Sequence, residues 1–151
     1  MAYIAGFLDG DGSLMLQIKA RADTRRGVRF MATICFYQDT RHEAPLLWIR
    51  KIFGIGYVSR RRDGMSELRI NGFKQVLLLL RLIEPYVRFK KKQVSLLIEA
   101  CTMLVQKKMR LMSKSELKKL VDLAFALKRE NYTSNSSHTK EEVLSRLGLT
   151  P

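Results

Sequence analysis

A nine-residue segment near the start of the chain, from Ile4 to Gly12, constrains the fold more than any other part of the sequence. It reads Ile-Ala-Gly-Phe-Leu-Asp-Gly-Asp-Gly, an apolar stretch that ends in two carboxylates. Small residues recur at every fourth position, at Ala2, Gly6 and Gly10, and therefore share one face of a helix. Because this face has almost no side chains, a second helix backbone can approach it closely. The segment thus predicts a tightly packed helix pair.

If the partner helix is the same helix of a second copy, two-fold symmetry brings the two Asp11 side chains together at the end of the seam. These like charges repel unless a divalent cation lies between them. An EF-hand calcium loop does not fit, because it needs Gly at its sixth position and Glu at its twelfth. This chain has Leu14 and Ala20 there. The segment therefore favours a cation site shared between two copies.

The charge balance of the chain limits its partners. Lys and Arg number 28 against 14 Asp and Glu, which gives a net charge of +14 over 151 residues. This excess favours a polyanion. Apolar runs such as Val76 to Leu80 are too short to span a bilayer, and no secretory leader is recognisable, so we expect an intracellular protein with no membrane partner. The residues Cys35, Cys101, His42 and His138 lack zinc-site spacing.

Alternation of apolar and polar residues predicts two β-hairpins, the second around a turn at Asp63-Gly64. Helical periodicity, with glycine or proline at the ends, predicts the helices between and after them. The expected strands are Ser13 to Ala20, Val28 to Tyr37, Tyr57 to Arg62 and Ser66 to Asn71, and the expected helices are Glu43 to Phe53 and Phe73 to Ile83.

Beyond Val105 the sequence predicts helices only. Ser113 with Glu116, and Thr139 with Glu142, have the spacing of capping boxes at two helix starts. We therefore expect one α+β domain over residues 1–151, with an α-β-β-α-β-β-α core in residues 1–105 and C-terminal helices in residues 106–151.

This order of elements, together with Ala5, Gly6, Asp9, Asp11 and Gly12, resembles the single-motif LAGLIDADG homing endonucleases. The resemblance implies a saddle-shaped antiparallel sheet that binds double-stranded DNA. It also implies a homodimer that makes a double-strand break in a long pseudo-palindromic target by metal-dependent phosphodiester hydrolysis, which promotes intron mobility. The expected cofactor is Mg²⁺, and Ca²⁺ is expected to support binding without efficient cleavage.

The resemblance also implies roles for residues near the two carboxylates. Asp11 is expected to bind the metal directly, with the backbone carbonyl of Gly10 as a second ligand. Gln38, near the end of the second strand, matches a residue that orients the water network in similar enzymes. Lys90 matches a lysine near the scissile phosphate. The expected catalytic residues are therefore Asp11, Gln38 and Lys90.

Similar enzymes carry a basic residue four positions after the glutamine. Here that place belongs either to His42 or to its neighbour Arg41, and the sequence leaves the choice open. Asp9 is nearer the helix interior and is expected to cap or brace the partner helix rather than to bind metal. The residues expected at the dimer interface are Ala2, Ala5, Gly6, Asp9 and Gly10.

The outward face of the two predicted hairpins carries residue types that read bases in the DNA major groove. Arg and Lys pair with guanine, Gln and Asn with adenine, Glu with cytosine, and apolar groups with the thymine methyl. A strand of about 30 Å spans about nine base pairs, so two copies would cover roughly twenty. The expected DNA-binding residues are Gln17, Lys19, Arg21, Arg29, Met31, Thr33, Cys35, Tyr37, Ser59, Arg61, Glu67, Arg69 and Asn71.

Two other functions are compatible with the same fold. An RNA maturase would assist splicing of its host intron, and a repressor would bind DNA through the sheet without cutting it. The presence of Asp11, Gly12 and Gln38 favours the nuclease. Archaeal cytoplasm and an algal organelle are both compatible locations.

Overall fold

A four-stranded antiparallel sheet organises the computed structural model, which describes residues 1–21, 27–131 and 138–149. The strands lie in the order β1-β2-β4-β3, so that β1 and β3 are the edges. Their bounds are β1 Gly12–Ala20, β2 Val28–Asp39, β3 Tyr57–Arg60 and β4 Met65–Asn71.

Helices precede the sheet, connect its two hairpins and follow it. In the described residues, none of these helices is both long and apolar enough to cross a membrane. The helices are α1 Ala2–Asp11, α2 Ala44–Phe53, α3 Phe73–Ile83, α4 Lys91–Gln106, α5 Lys114–Glu130 and α6 Lys140–Arg146.

The predicted α-β-β-α-β-β-α order is confirmed, with small shifts at the ends of elements. Strand β3 ends at Arg60 instead of Arg62, because the backbone N–H of Arg61 donates to the carbonyl of Met65 at 2.7 Å and closes the turn. Gly64 takes a φ of 81° in this turn, which glycine adopts without strain. The predicted basic tip with Arg25 and Arg26 lies outside the described residues.

One face of the sheet is buried under the helices. Phe30, Ile34 and Phe36 of β2 have 0 to 2% of their surface exposed and pack in one apolar cluster that extends from Ile4 to Leu149. The other face carries polar side chains. Both predicted capping boxes are present, at the starts of α5 and α6. The sheet is therefore supported from one side and open on the other.

Candidate active site and nucleic-acid interface

The junction between α1 and β1 places the two carboxylates of the motif. The backbone N–H of Gly12 donates to the carbonyl of Leu8 and closes the last turn of α1. A Cβ at Gly12 would lie 2.6 to 2.8 Å from atoms of Leu8, so the chain can turn this tightly only with glycine. Asp9 is half-buried at this junction, whereas Asp11 is exposed.

The Asp9 carboxylate is bound within its own chain. Its Oδ2 accepts a hydrogen bond from the backbone N–H of Arg88 at 2.7 Å, and its Oδ1 accepts one from that of Lys90 at 2.9 Å. Lys90 precedes the first turn of α4, where unpaired N–H groups attract negative charge. Within one chain Asp9 therefore attaches the start of α4 to α1, a contact that the sequence reasoning did not include, and its expected role at a partner helix stays a prediction.

Lys90 is held beside both carboxylates by this attachment. Its Nζ donates to the backbone carbonyl of Asp9 at the end of α1. Burial lowers the pKa of the Lys90 ammonium, and the charges of Asp9 and Asp11 act in the opposite direction. The side chain therefore places a cation within electrostatic reach of Asp11.

The end of α1 also has oxygen atoms that suit a divalent cation. The Asp11 carboxylate makes no hydrogen bond or ion pair with a residue that the structure describes. The carbonyl of Gly10 has no helical donor, because Leu14 already belongs to β1. Carboxylate and carbonyl oxygens are preferred by Mg²⁺ and Ca²⁺, and the negative end of the helix dipole favours cations. These residues fit the metal that the sequence implies.

A single chain supplies few ligands to such a cation. Within residues 1–21, 27–131 and 138–149, no three His, Cys, Asp or Glu side chains are grouped so that they could hold a metal ion. A tightly bound cation needs further oxygen atoms. A second copy of Asp11 and the oxygens of a bound phosphate are two sources that would complete the site.

Gln38 lies on β2, two residues beyond Phe36, which pairs with Gly12 at the start of β1. Two strand residues cover about 7 Å, so the Gln38 backbone lies that far along β2 from the junction pair. Its Oε1 accepts a hydrogen bond from the backbone N–H of Asp39 at 2.8 Å. The side-chain NH₂ group is left as the donor available to water or to a ligand.

The two candidates for the basic position differ in their contacts. Arg41 donates through Nε and Nη2 to the Asp39 carboxylate at 3.0 and 2.8 Å. These hydrogen bonds hold the pKa of Asp39 well below its usual range. His42 is exposed and makes no hydrogen bond with a described residue. Arg41 is therefore engaged with Asp39, while the His42 ring remains available to another group.

The small residues Ala2, Gly6 and Gly10 lie together on the exposed side of α1, here called the α1 face. A Cβ added at Gly6 or Gly10 would meet no heavy atom within 4 Å, so packing inside the chain does not require glycine at either position. Ala5 points the other way and is fully buried in the core. Its assignment to the dimer interface is therefore corrected.

Exposed aromatic side chains lie on α1 and on segments that contact it, and the sequence reasoning missed them. Tyr3 is 61% exposed and packs edge-on against Trp48 of α2, which is 46% exposed, with ring centroids 5.5 Å apart. Phe89 is 84% exposed and lies between Arg88 and Lys90, the two residues that bind Asp9. The position of Tyr3 three residues before Gly6 was the one local signal. We call Tyr3, Trp48 and Phe89 the aromatic rim.

Strand register places most of the predicted DNA-binding residues on the open face of the sheet, here called the reading face. Gln17 pairs with Met31, and Lys19 with Arg29, towards the far end of the first hairpin. Lys19 and Arg29 are exposed and form no ion pair with a described residue. Arg21 is exposed just beyond β1, and its backbone N–H donates to the carbonyl of Gly27 at 2.9 Å.

Thr33 and Cys35 belong to the reading face by alternation, but both are fully buried. They lie on β2, which has a neighbouring strand on each side, so adjacent side chains cover them. Thr33 donates to the side chain of Asn71 at 2.7 Å. Burial raises the pKa of the Cys35 thiol. Their assignment as DNA-contacting residues is corrected, because in this structure neither side chain reaches the surface.

The second hairpin changes two further assignments. Tyr57 pairs with Arg69, is 48% exposed and lies on the reading face, although the sequence reasoning omitted it. Its position two residues before Ser59 was the signal. Arg61 follows the end of β3 and forms an ion pair with Asp63 at 2.6 Å. Arg61 is thus a turn residue, and its expected place on a strand is wrong.

Glu67 and Arg69 form the most connected polar group on the reading face. Arg69 donates through Nε at 3.2 Å and through Nη2 at 3.0 Å to Oε1 of Glu67. The Ser59 hydroxyl donates to the same oxygen at 3.4 Å. Next to Glu67 in the register is Tyr37, whose hydroxyl lies 3.1 Å from that of Ser13. The centre of the face is therefore already hydrogen-bonded, unlike its cationic end.

Sequence comparison identifies two DNA endonucleases that are similar to this chain. The DNA endonuclease I-CvuI of Chlorella vulgaris is 35% identical over 98 residues, which are 65% of this chain and 61% of I-CvuI. The matched part thus spans less than two thirds of that relative. The DNA endonuclease I-CreI of Chlamydomonas reinhardtii is 29% identical over 147 residues, which are 97% of this chain and 90% of I-CreI.

Solved structures agree over nearly the whole chain. I-CvuI in complex with a DNA target, in the presence of 2 mM Mg and with the DNA not cleaved, matches with a TM-score of 0.87 and 29% identity, covering 99% of this chain and 95% of I-CvuI. The archaeal intron-encoded homing endonuclease I-Vdi141I complexed with DNA matches with a TM-score of 0.85 and 26% identity, covering 97% of this chain and 92% of I-Vdi141I. The sequence model of the LAGLIDADG endonuclease family matches residues 4–103, and this chain therefore belongs to that family.

Proposed function

We propose that the chain is a homodimeric, magnesium-dependent, site-specific DNA endonuclease of the homing type. The observation that carries the proposal is the different state of the two carboxylates at the end of α1. Asp9 is used inside the chain, whereas Asp11 is exposed beside Lys90 and unpaired among the described residues. A free carboxylate at the end of an exposed small-residue helix face suits a cation site shared by two copies.

Dimerisation is supported by the α1 face and its aromatic rim. A Cβ at Gly6 would meet no heavy atom within 4 Å, so the backbone there is open to the close approach of a second helix. Large exposed aromatic side chains of this rim, such as Phe89, gain free energy when a partner covers them. A two-fold dimer through α1 would place one Asp11 of each copy at the same end of the seam.

DNA binding is supported by the reading face and by the net charge of +14. Exposed cations at Lys19 and Arg29 would contact phosphates or guanines, and the polar groups of β4 would face base edges. The sheet of a dimer would cover a pseudo-palindromic duplex of roughly twenty base pairs. I-CvuI and I-Vdi141I have each been solved bound to DNA, which agrees with this use of the fold.

The site residues supply what phosphodiester hydrolysis requires. When bound, Mg²⁺ would neutralise charge on the phosphate and lower the pKa of a water molecule. Asp11 and the Gly10 carbonyl would hold the cation. Lys90 would keep a positive charge near the scissile phosphate, and the NH₂ group of Gln38 would donate to water or to a phosphate oxygen. Cleavage of both strands at an intronless site would promote intron mobility.

Asp11→Asn tests the proposal directly. With the full chain and one palindromic duplex, we expect the wild type to bind in Mg²⁺ or Ca²⁺ and to cut both strands in Mg²⁺, with little cutting in Ca²⁺. Asp11→Asn should bind the duplex but yield no product. Retention in a gel measures binding, and denaturing electrophoresis measures cleavage. Glu141→Gln, at an exposed carboxylate of α6, is the matched control and should cut normally.

Each result separates the possible functions. Cleavage by Asp11→Asn at the wild-type rate would overturn the metal site. Binding without cutting by the wild type, on the joined exon sequence and at every Mg²⁺ concentration, would overturn the endonuclease and favour a repressor. Preference for the intron RNA over the duplex would favour a maturase.

A further inference from the structure

Glu67 and Arg69 leave a defined set of hydrogen-bonding groups unused. The guanidinium of Arg69 binds Glu67 through the edge that carries Nε and Nη2. A guanidinium has five N–H donors in a planar fork, so among the described residues the end that carries Nη1 and the second hydrogen of Nη2 has no hydrogen-bond acceptor. The bonds to Glu67 all go to Oε1. No residue in the described part of the chain donates to its Oε2, which is therefore available as an acceptor.

Neighbouring strands fix the orientation of this pair. On β4, Arg69 lies between Cys35 of β2 and Tyr57 of β3, and Glu67 lies between Tyr37 and Ser59. The side chains of Arg69 and Glu67 are 27% and 12% exposed, so part of each is still accessible from the open side of the sheet. A pair that is already bonded and flanked loses little conformational freedom when it binds a ligand.

Together the unused groups offer two donors on Arg69 and one acceptor on Glu67. In the major groove a G·C pair presents N7 and O6 of guanine as acceptors and N4 of cytosine as a donor, in that order. The two patterns are complementary. A T·A pair places a methyl group where guanine has N7, and an A·T pair presents a donor next to its N7, so each offers fewer matching groups.

We infer that Glu67 and Arg69 act as one preformed unit that recognises a single G·C pair in each half-site. Arg69 donates two hydrogen bonds to guanine, and Glu67 accepts one from cytosine while holding the arginine in place. Glu67 is thus a specificity-determining residue as well as the positioning residue for Arg69. The inference rests on the proposed DNA-binding function and names one part of its target.

The test is a binding profile against a panel of duplexes in which each base pair of the half-site is replaced in turn. For the wild type, we expect one position at which replacement of G·C weakens binding by roughly 5- to 150-fold. Glu67→Gln and Arg69→Ala should each reduce the preference for G·C over the other base pairs at this same position. The double variant should reduce it no further, because the two residues act together. Glu141→Gln, at an exposed carboxylate of α6, is the control and should leave this position unchanged.

The outcomes distinguish this inference from the proposed function. If Glu67→Gln weakens binding to every duplex by the same factor, or lowers only the melting temperature, Glu67 is merely structural and the inference fails. It also fails if the two single variants change preference at different positions. In both cases a wild type that still discriminates among duplexes leaves the proposed function intact. A wild type that binds no duplex overturns both.

Discussion

The α1 face and the reading face are both exposed, but they differ in what their residues have already bound. At the α1 face, a Cβ at Gly6 or Gly10 would meet no heavy atom of the described residues within 4 Å, so the backbone there is exposed. At the centre of the reading face, Glu67, Arg69 and Ser59 are bonded to one another, and Thr33 to Asn71. One surface is open backbone, and the other is an ordered polar network.

This difference indicates two kinds of partner. An exposed helix backbone is stabilised most by close packing against a rigid surface of fixed shape, such as an identical helix. A polar network gains from a ligand that complements its remaining donors and acceptors, while the bonds within it keep the side chains oriented. We therefore expect substitutions at the α1 face to act through assembly, and substitutions at the reading face to act through target choice.

The largest effect should come from filling the α1 face with Gly6→Leu. A Cβ at this exposed position meets no heavy atom within 4 Å, so we expect the monomer to fold with an unchanged circular dichroism spectrum. It should prevent close approach of a second α1 and abolish both the dimer and double-strand cleavage. Sedimentation measures the dimer. Ser95→Leu adds the same side chain at an exposed position of α4 and should remain dimeric. If Gly6→Leu is dimeric and active, the assignment of the α1 face to dimer assembly is wrong.

The next effect separates the two carboxylates at the end of α1. Asp9→Ala removes the acceptor for the N–H groups of Arg88 and Lys90, and we expect it to lower the free energy of unfolding by about 1 to 3 kcal/mol. Cleavage should slow as well, because Lys90 loses its attachment. Asp11→Ala should leave monomer stability unchanged. Urea unfolding of both variants provides the measurement, and equal stabilities would contradict the separate roles assigned here.

A smaller effect sharpens the account of the reading face. Arg29→Ala should reduce discrimination at particular base pairs by about 1 to 3 kcal/mol, because in the proposed complex a side chain on this face would contact base edges. Lys91→Ala, at an exposed position at the start of α4, should weaken all duplexes similarly and lower the salt dependence. Binding to the same duplex panel at two salt concentrations tests both. A uniform loss for Arg29→Ala would contradict a major-groove contact by this residue.

The smallest effect concerns the polar cluster that supports β3 and β4 from the helix side. Glu43 accepts hydrogen bonds from Arg60 and, at 2.6 Å, from Ser66. The bonds from Arg60 and then Ser66 lower the pKa of Glu43 from 4.5 to about 2. Since the folded-state pKa is depressed, this stabilisation is present above pH 4.5 and is lost as the pH falls towards 2.

Glu43→Gln should therefore show a weaker loss of stability than the wild type between pH 5 and pH 2. Thermal melts across this range measure the difference between the two proteins, which cancels the contributions of other carboxylates. Glu141→Gln, at an exposed carboxylate of α6, should follow the wild type. Parallel curves for Glu43→Gln and the wild type would contradict the pKa shift assigned to Glu43.

Local patterns predicted the elements well, because local interactions determine them. The helix from Phe73 to Ile83 has its predicted bounds, and Ser113 with Glu116 forms the predicted capping box. The family and its fold, which the motif around Asp11 implied, are confirmed. The metal-ligand and catalytic roles of Asp11 and Lys90, and the DNA contacts, stay predictions.

Contacts between distant segments are what the sequence failed to predict. The partners of Asp9 are 79 and 81 residues away, and no local pattern indicates them. Cys35 alternates like a surface residue, but its burial depends on β2 being an inner strand of the sheet. The bond between Glu67 and Arg69 needs the side-chain conformations and not only the alternation of β4.

The attachment of α4 to Asp9 has a consequence for synthesis on the ribosome. At about 5 to 20 residues per second, the interval between translation of Asp9 and translation of Lys90 is roughly 4 to 16 s. Throughout this time the nascent chain contains Asp11 but not the lysine that completes its surroundings. Under the proposed function, an early-formed α1 would therefore not yet be a nuclease centre. The ability to cut a chromosome would arise only after the whole core has been translated and its first and fourth helices have docked.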